Sequence, residues 1–99
     1  MTQPWTIRKA GDALRSGEAT SVDLIREAHV AADRLDPQMG TWLDRYTDQS
    51  LTSAEAADAA LAAGQDLGPL HGIPLGIKDI LSTDEGPTTA QSLTMDHTW

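Results

Sequence analysis

Apolar residues recur at helical spacing through the first two thirds of the chain, and that pattern gives way to glycine and proline after residue 63. Ile7, Ala10 and Leu14 share one face at intervals of three and four, with Thr6 placed as N-cap and Gly17 just past the end. The next stripe, Ile25, Ala28, Ala32 and Leu35, is widened by Leu24 and Ala31. Thr20 and Asp23 open it as a capping box, and Asp36-Pro37 is expected to close it, because the residue before proline is pushed out of the α region. The aromatic content of residues 41–46 predicts a short strand. A third helix is expected over residues 53–63, with Thr52 as N-cap, Glu55 three positions on, Leu51 and Ala56 as a staple, and Gly64 as the stop. Its stripe of Ala57, Ala60 and Leu61 is small and holds only if it packs closely on another element.

Gly64, Gly68, Pro69, Gly72, Pro74 and Gly76 fall within 13 residues and predict a loop of tight turns. Inside it, Ile73, Leu75 and Ile77 alternate with period two, so residues 75–78 read as a strand entered at Pro74. The expected class is α/β, in one unit spanning residues 1–99: helical over 6–63, Gly/Pro loop and strand over 64–79, and loop over 80–99. No internal repeat is visible.

Composition narrows the picture. At 99 residues there is room for one small domain, and its apolar 39% includes 14 alanines, which bury little area. Leu, Ile and Val number 18 and Phe is absent, so the core is thin. Fifteen acids against seven bases leave a net charge of −8, which excludes a backbone-tracking nucleic-acid binder and a polybasic membrane anchor. Without cysteine there is no disulfide framework, zinc ribbon or thiol nucleophile. The longest apolar run is Ala59 to Ala63, and Met1-Thr2-Gln3-Pro4-Trp5 lacks the blocks of a secretory leader, so the expected location is cytoplasmic.

Most motifs that carry chemistry are absent: no phosphate-cradling loop, no zinc-binding helix, no nucleophile elbow. His29, His71 and His97 are scattered and read as packing or surface residues, and Trp5, Trp42 and Trp99 as core anchors; no metal or cofactor is expected. Lys78 stands apart. Residues 46–99 hold eight acids and one base, Lys78, set in the most apolar segment. On an extended strand, Pro74, Gly76 and Lys78 share a face, so the neighbours of the lysine are small and another backbone or a ligand can approach. Asp79 points to the opposite face. On spacing alone the favoured reading is the plainer one, an edge-strand lysine in solvent that discourages pairing.

The run Gly68-Pro69-Leu70-His71-Gly72-Ile73-Pro74-Leu75-Gly76-Ile77-Lys78-Asp79, followed by Pro87-Thr88-Thr89-Ala90-Gln91-Ser92, resembles the N-terminal part of the amidase signature family. The Arg-Ser-Gly-Glu helix end, the Ser-Val-Asp-Leu helix start, the Asp-Pro and the alanine-rich helix closing in Ala-Ala-Gly agree, so the likeness covers roughly residues 6–95. It implies a mixed sheet flanked by helices, incomplete in this chain, in which 75–78 is the first core strand. It also implies amide-bond hydrolysis or amide-nitrogen transfer through a Ser–cis-Ser–Lys triad, with Lys78 as the lysine, no cofactor, and a small-molecule amide as substrate. Homo-oligomers of the full-length protein are compatible with it, and neither a membrane nor a nucleic acid is expected as partner of this segment. Neither serine has a counterpart, since the chain has no Gly-Gly and no Ser-Ser pair and Ser82 and Ser92 lie in the wrong context. Gln91 replaces a common glycine, and Ile80 replaces the asparagine usual in the large catalytic chains of tRNA-dependent amidotransferases, which favours a free-standing amidase.

The chemistry suits the residue. An ordinary lysine, with a pKa of about 10.4, is protonated at neutral pH and becomes a base only when desolvation penalises its charge. A neutral lysine can then accept a proton from a bridging serine that activates the nucleophile. Two further readings stay open: the amidase-like chain of a tRNA-dependent amidotransferase, and an acidic helical adaptor that binds through its alanine-rich helix. The thin core and the ending at Asp96-His97-Thr98-Trp99 favour a truncated chain over the adaptor.

Overall fold

A computed structural model describes residues 5–79, 81, 83, 86, 87, 89, 91 and 93. Three helices follow in order: α1 Ile7–Ser16, α2 Ser21–Met39 and α3 Thr47–Ala62. α1 begins as its sequence predicts, with Thr6 Oγ1 accepting from Lys9 N at 3.1 Å and Gly17 left-handed at the end. The capping box of α2 is complete: Thr20 Oγ1 accepts from Asp23 N, and Asp23 Oδ2 accepts from Thr20 N.

Other expectations need correction. α2 does not stop at Asp36-Pro37 but continues through Pro37 to Met39. A proline this near the end removes a single helical hydrogen bond, and the terminus is closed by other donors. Gly40 N donates to Asp36 O, while Asp36 Oδ1 accepts from Thr41 N and Trp42 N. Those bonds turn residues 41–46 into an irregular connection, not a strand.

α3 begins at Thr47, ahead of the expected box, behind a left-handed Tyr46 with no side-chain cap. Thr52, expected as N-cap, lies inside the helix and donates its hydroxyl to Asp48 O at 3.0 Å. Tertiary bonds to α2 explain the early start. Arg45 donates to His29 O and to the Asp33 carboxylate, and Ser50 meets His29, so the first turn of α3 is held without a local cap. The far end conforms. Gly64 adopts φ 83°, Gln65 N donates to Ala60 O and Gly64 N to Leu61 O. This is a Schellman closure that needs a residue free to turn left-handed.

The expected strand at 75–78 pairs with nothing, and the described residues contain no strand. A strand exists only through a neighbour's ladder, and the other candidate segment, 41–46, is irregular. Over the described residues the chain is therefore helical, and the α/β class is not formed here. The expected loop over 80–99, with Ile80, Ser82, Ser92, His97 and Trp99, falls largely outside the described residues, and those five fall wholly outside them.

Ala10, Leu14 and Leu24 are buried together, with Trp5, Leu61 and Ile73 packed around them. This core joins α1, the start of α2, the end of α3 and the loop. The distal half of the α2 stripe is open to solvent: Leu35 is 47% exposed and Met39 69%. α3 packs along α2 with Ala54 buried, while Ala57, Ala60 and Leu61 of the expected stripe are half-buried.

Candidate functional site

The segment that carries Lys78 is delivered by a loop tied to all three helices. On α1, Arg15 donates from Nε and Nη2 to the Asp66 carboxylate at 2.7 and 2.9 Å, and from Nη2 to Gly68 O at 2.9 Å. The paired geometry holds the Asp66 carboxyl below its ordinary range, chiefly through the Arg15 hydrogen bond and then through Gly68 N, and it raises the guanidinium. On α2, the buried Ser21 donates its hydroxyl to Gly72 O at 2.8 Å. On α3, His71 Nε2 meets Ala57 O at 2.9 Å, so this nitrogen carries the proton. The next residue of α3, Asp58, accepts from Ser21 N at 2.6 Å and Val22 N at 3.1 Å, capping α2 from a distance of 36 residues in sequence.

Residues 73–78 then run without regular structure. Gly76 lies against Trp42, so close that a Cβ there would sit 3.1 Å from the indole Cη2. Gly76 thus admits an aromatic ring where a larger side chain would clash. Among the described residues the Lys78 amine has no hydrogen-bond or ion-pair partner, and the residue is exposed. The expected apolar surroundings are missing because Leu75 and Ile77 are themselves 60% and 51% exposed. Asp79 turns to the following loop instead, accepting from Thr89 N at 2.9 Å and from the Thr89 hydroxyl.

Two open clefts among the described residues lie elsewhere. One of about 630 Å³ opens between α1 and the loop, beside Arg8, Asp12, Arg15 and Pro69. A second, of about 240 Å³, follows the exposed half of α2 past Leu35, Met39 and Trp42. Neither is lined by Lys78. His29 Nε2 and Ser50 Oγ are 2.9 Å apart, but Ser50 donates to Thr47 O and so accepts from the imidazole, the reverse of an activated nucleophile. Among the described residues no three His, Cys, Asp or Glu side chains gather as metal ligands, and no helix is long and apolar enough to cross a membrane.

Sequence reasoning singled out Lys78 and the turns before it but not Ser21, Asp58 or Asp66, which hold that loop. Ser21 and Asp58 carry no local signal: one reads as a first-turn residue, the other as the polar face of an alanine helix.

Comparison with known proteins bears on the same residues. The family model described as Amidase matches residues 23–98. The glutamyl-tRNA(Gln) amidotransferase A chain of Jannaschia is 45% identical over 91 residues, covering 92% of this chain and 18% of the relative. The protein of the same name from Chloroflexus aggregans is 40% identical, covering 88% and 18%. "Putative amidase AmiD" of Mycobacterium tuberculosis is 34% identical, covering 85% and 18%. The chain thus spans under a fifth of the length of these curated relatives. No solved structure matches. With about three quarters of its length matched, including the loop and segment that carry Lys78, the chain belongs to the amidase family.

Proposed function

We propose that this chain carries the lysine of an amide-cleaving enzyme, and that Lys78 acts as its general base in the neutral form. The observation that carries the reading is the amidase match across residues 23–98, which takes in the Gly-Ile-Pro-x-x-x-Lys-Asp run with Lys78 on an open segment. In the reaction, Lys78 Nζ accepts a proton from a bridging cis-serine as that serine takes one from the nucleophilic serine. The nucleophile forms a bond to the amide carbonyl, the carbon–nitrogen bond breaks with the proton passing to the leaving amine, and water then cleaves the acyl-serine, releasing the carboxylic acid and returning a proton to the nucleophile. Neither serine is in this chain, and the α/β sheet with 75–78 as a core strand belongs to the same proposal: a partner strand would complete the ladder and cover Leu75 and Ile77. The substrate is a small-molecule amide, the location is cytoplasmic, and the acidic segment contacts neither nucleic acid nor membrane.

In the full-length protein, Lys78→Ala should lower turnover by the roughly 10²–10⁴-fold typical of a lost general base. Lys78→Arg should do no better, since a guanidinium stays charged. Near-normal turnover in the arginine variant would make Lys78 a charge-balancing surface residue. The names of the Jannaschia and Chloroflexus relatives favour a second reading, the corresponding chain of an amidotransferase with the same lysine chemistry. Ammonia release from free amides by the protein alone supports the amidase; activity only in assembly with partner chains and glutamyl-tRNA supports the amidotransferase.

A further inference from the structure

Lys78 lies six positions after Gly72, and over the intervening stretch the backbone makes no helical or sheet hydrogen bond. The last polar side-chain anchor before the lysine is the bond from Ser21 Oγ to Gly72 O. Gly72 is pinned from several sides. Its φ is +79°, and a Cβ on it would lie 3.1 Å from Leu14 Cδ1 and 3.4 Å from Ser21 Cβ, so the backbone is pressed onto the start of α2. Ile73 follows directly into the core beside Leu14 and Leu24. Ser21 is itself immobilised: it is 4% exposed, and its own amide is held by Asp58 of α3.

We infer that Ser21 is a positioning residue for Lys78, and that Asp58 acts behind it by fixing the first turn of α2. Ser21 sets where the lysine-bearing segment leaves the core, and with it how far and at what angle the Lys78 amine reaches. Among the described residues, 74–77 make no hydrogen bond to the helices, and the bonds at the ends of the segment, Ile73 N to Leu70 O and Leu81 N to Lys78 O, are local turns, so a shift of that exit point is carried toward Lys78. The inference rests on the proposed role of Lys78.

The test is steady-state kinetics of the full-length protein for Ser21→Ala, Lys78→Ala and the double variant, assayed well below each variant's unfolding temperature. Misplacing a catalytic group by about 1 Å can cost on the order of 10²-fold. Ser21→Ala should therefore lower kcat by roughly ten- to a hundredfold with KM within about twofold. It should lower turnover no further when Lys78 is already alanine, because the residue acts only through the lysine. A kcat within about twofold of wild type overturns the inference, and so does an equal loss on the Lys78→Ala background, which would mark a general effect on folding. If Lys78→Ala keeps normal turnover, the proposed function fails first, and that result is distinct from either of these. Should Ser21→Ala not fold, Asp58→Asn replaces it: it keeps one acceptor for the α2 amides, and the same kcat loss, present with Lys78 and absent without it, is expected.

Discussion

Asp58→Ala tests whether the α2–α3 carboxylate clasp, rather than the local capping box alone, holds the start of α2. The substitution strips the acceptors from Ser21 N and Val22 N together. Losing a side-chain cap costs about 0.5–2 kcal/mol, and losing a negative charge at a helix N-terminus about 0.3–1 kcal/mol. Ser21 is 4% exposed, so water cannot readily replace the lost carboxylate at its amide, which puts the cap cost in the upper half of its range. The sum is about 2 kcal/mol, equivalent to a fall in Tm of roughly 8–16 °C for a domain of this size. Thr6→Ala, at the exposed cap of α1, loses one acceptor for Lys9 N and should cost about 0.5–1 kcal/mol. Circular dichroism melting curves of wild type and both variants provide the comparison. Should Asp58→Ala cost no more than Thr6→Ala, Thr20 alone caps α2 and the long-range clasp contributes nothing.

Gly72→Ala should destabilise by about 1–2 kcal/mol or more, because an L-residue disfavours φ +79° and the new methyl meets Leu14; an unchanged urea midpoint would count against that packing. The Arg15–Asp66 pair should respond to acid. Since Asp66 is held below its ordinary value by Arg15, its contribution is complete above the unfolded carboxylate value of about 3.9 and is lost as pH falls through the lower folded one. The stability difference between wild type and Arg15→Ala should thus persist at neutral pH and shrink in strong acid to the part carried by the Arg15 bonds to Gly68 O and Gly11 O. A difference that stays constant across that range would show that the pair is not the cause.

The resemblance to amidases, the helix-cap grammar of Thr6 and Thr20–Asp23, and the glycines at 17 and 64 were legible without coordinates. The caps and stops depend on residues at most about five positions apart, so the physics that sets them is local. Lys78 was singled out by its place in an apolar run and by motif. Tertiary structure decided the rest. It carried α2 through Pro37 because Asp36 supplied new acceptors. It moved the start of α3 from Thr52 back to Thr47, where bonds to His29 and Asp33 stand in for a cap. It left 75–78 unpaired, because alternation specifies which face a strand would bury but cannot supply the neighbour that makes it one. The ties that steer the lysine loop, Arg15 to Asp66 and Ser21 to Gly72, each join residues 51 apart in sequence. No spacing rule reaches that far; only the packing of α1 and the start of α2 against the loop brings those groups within hydrogen-bond distance.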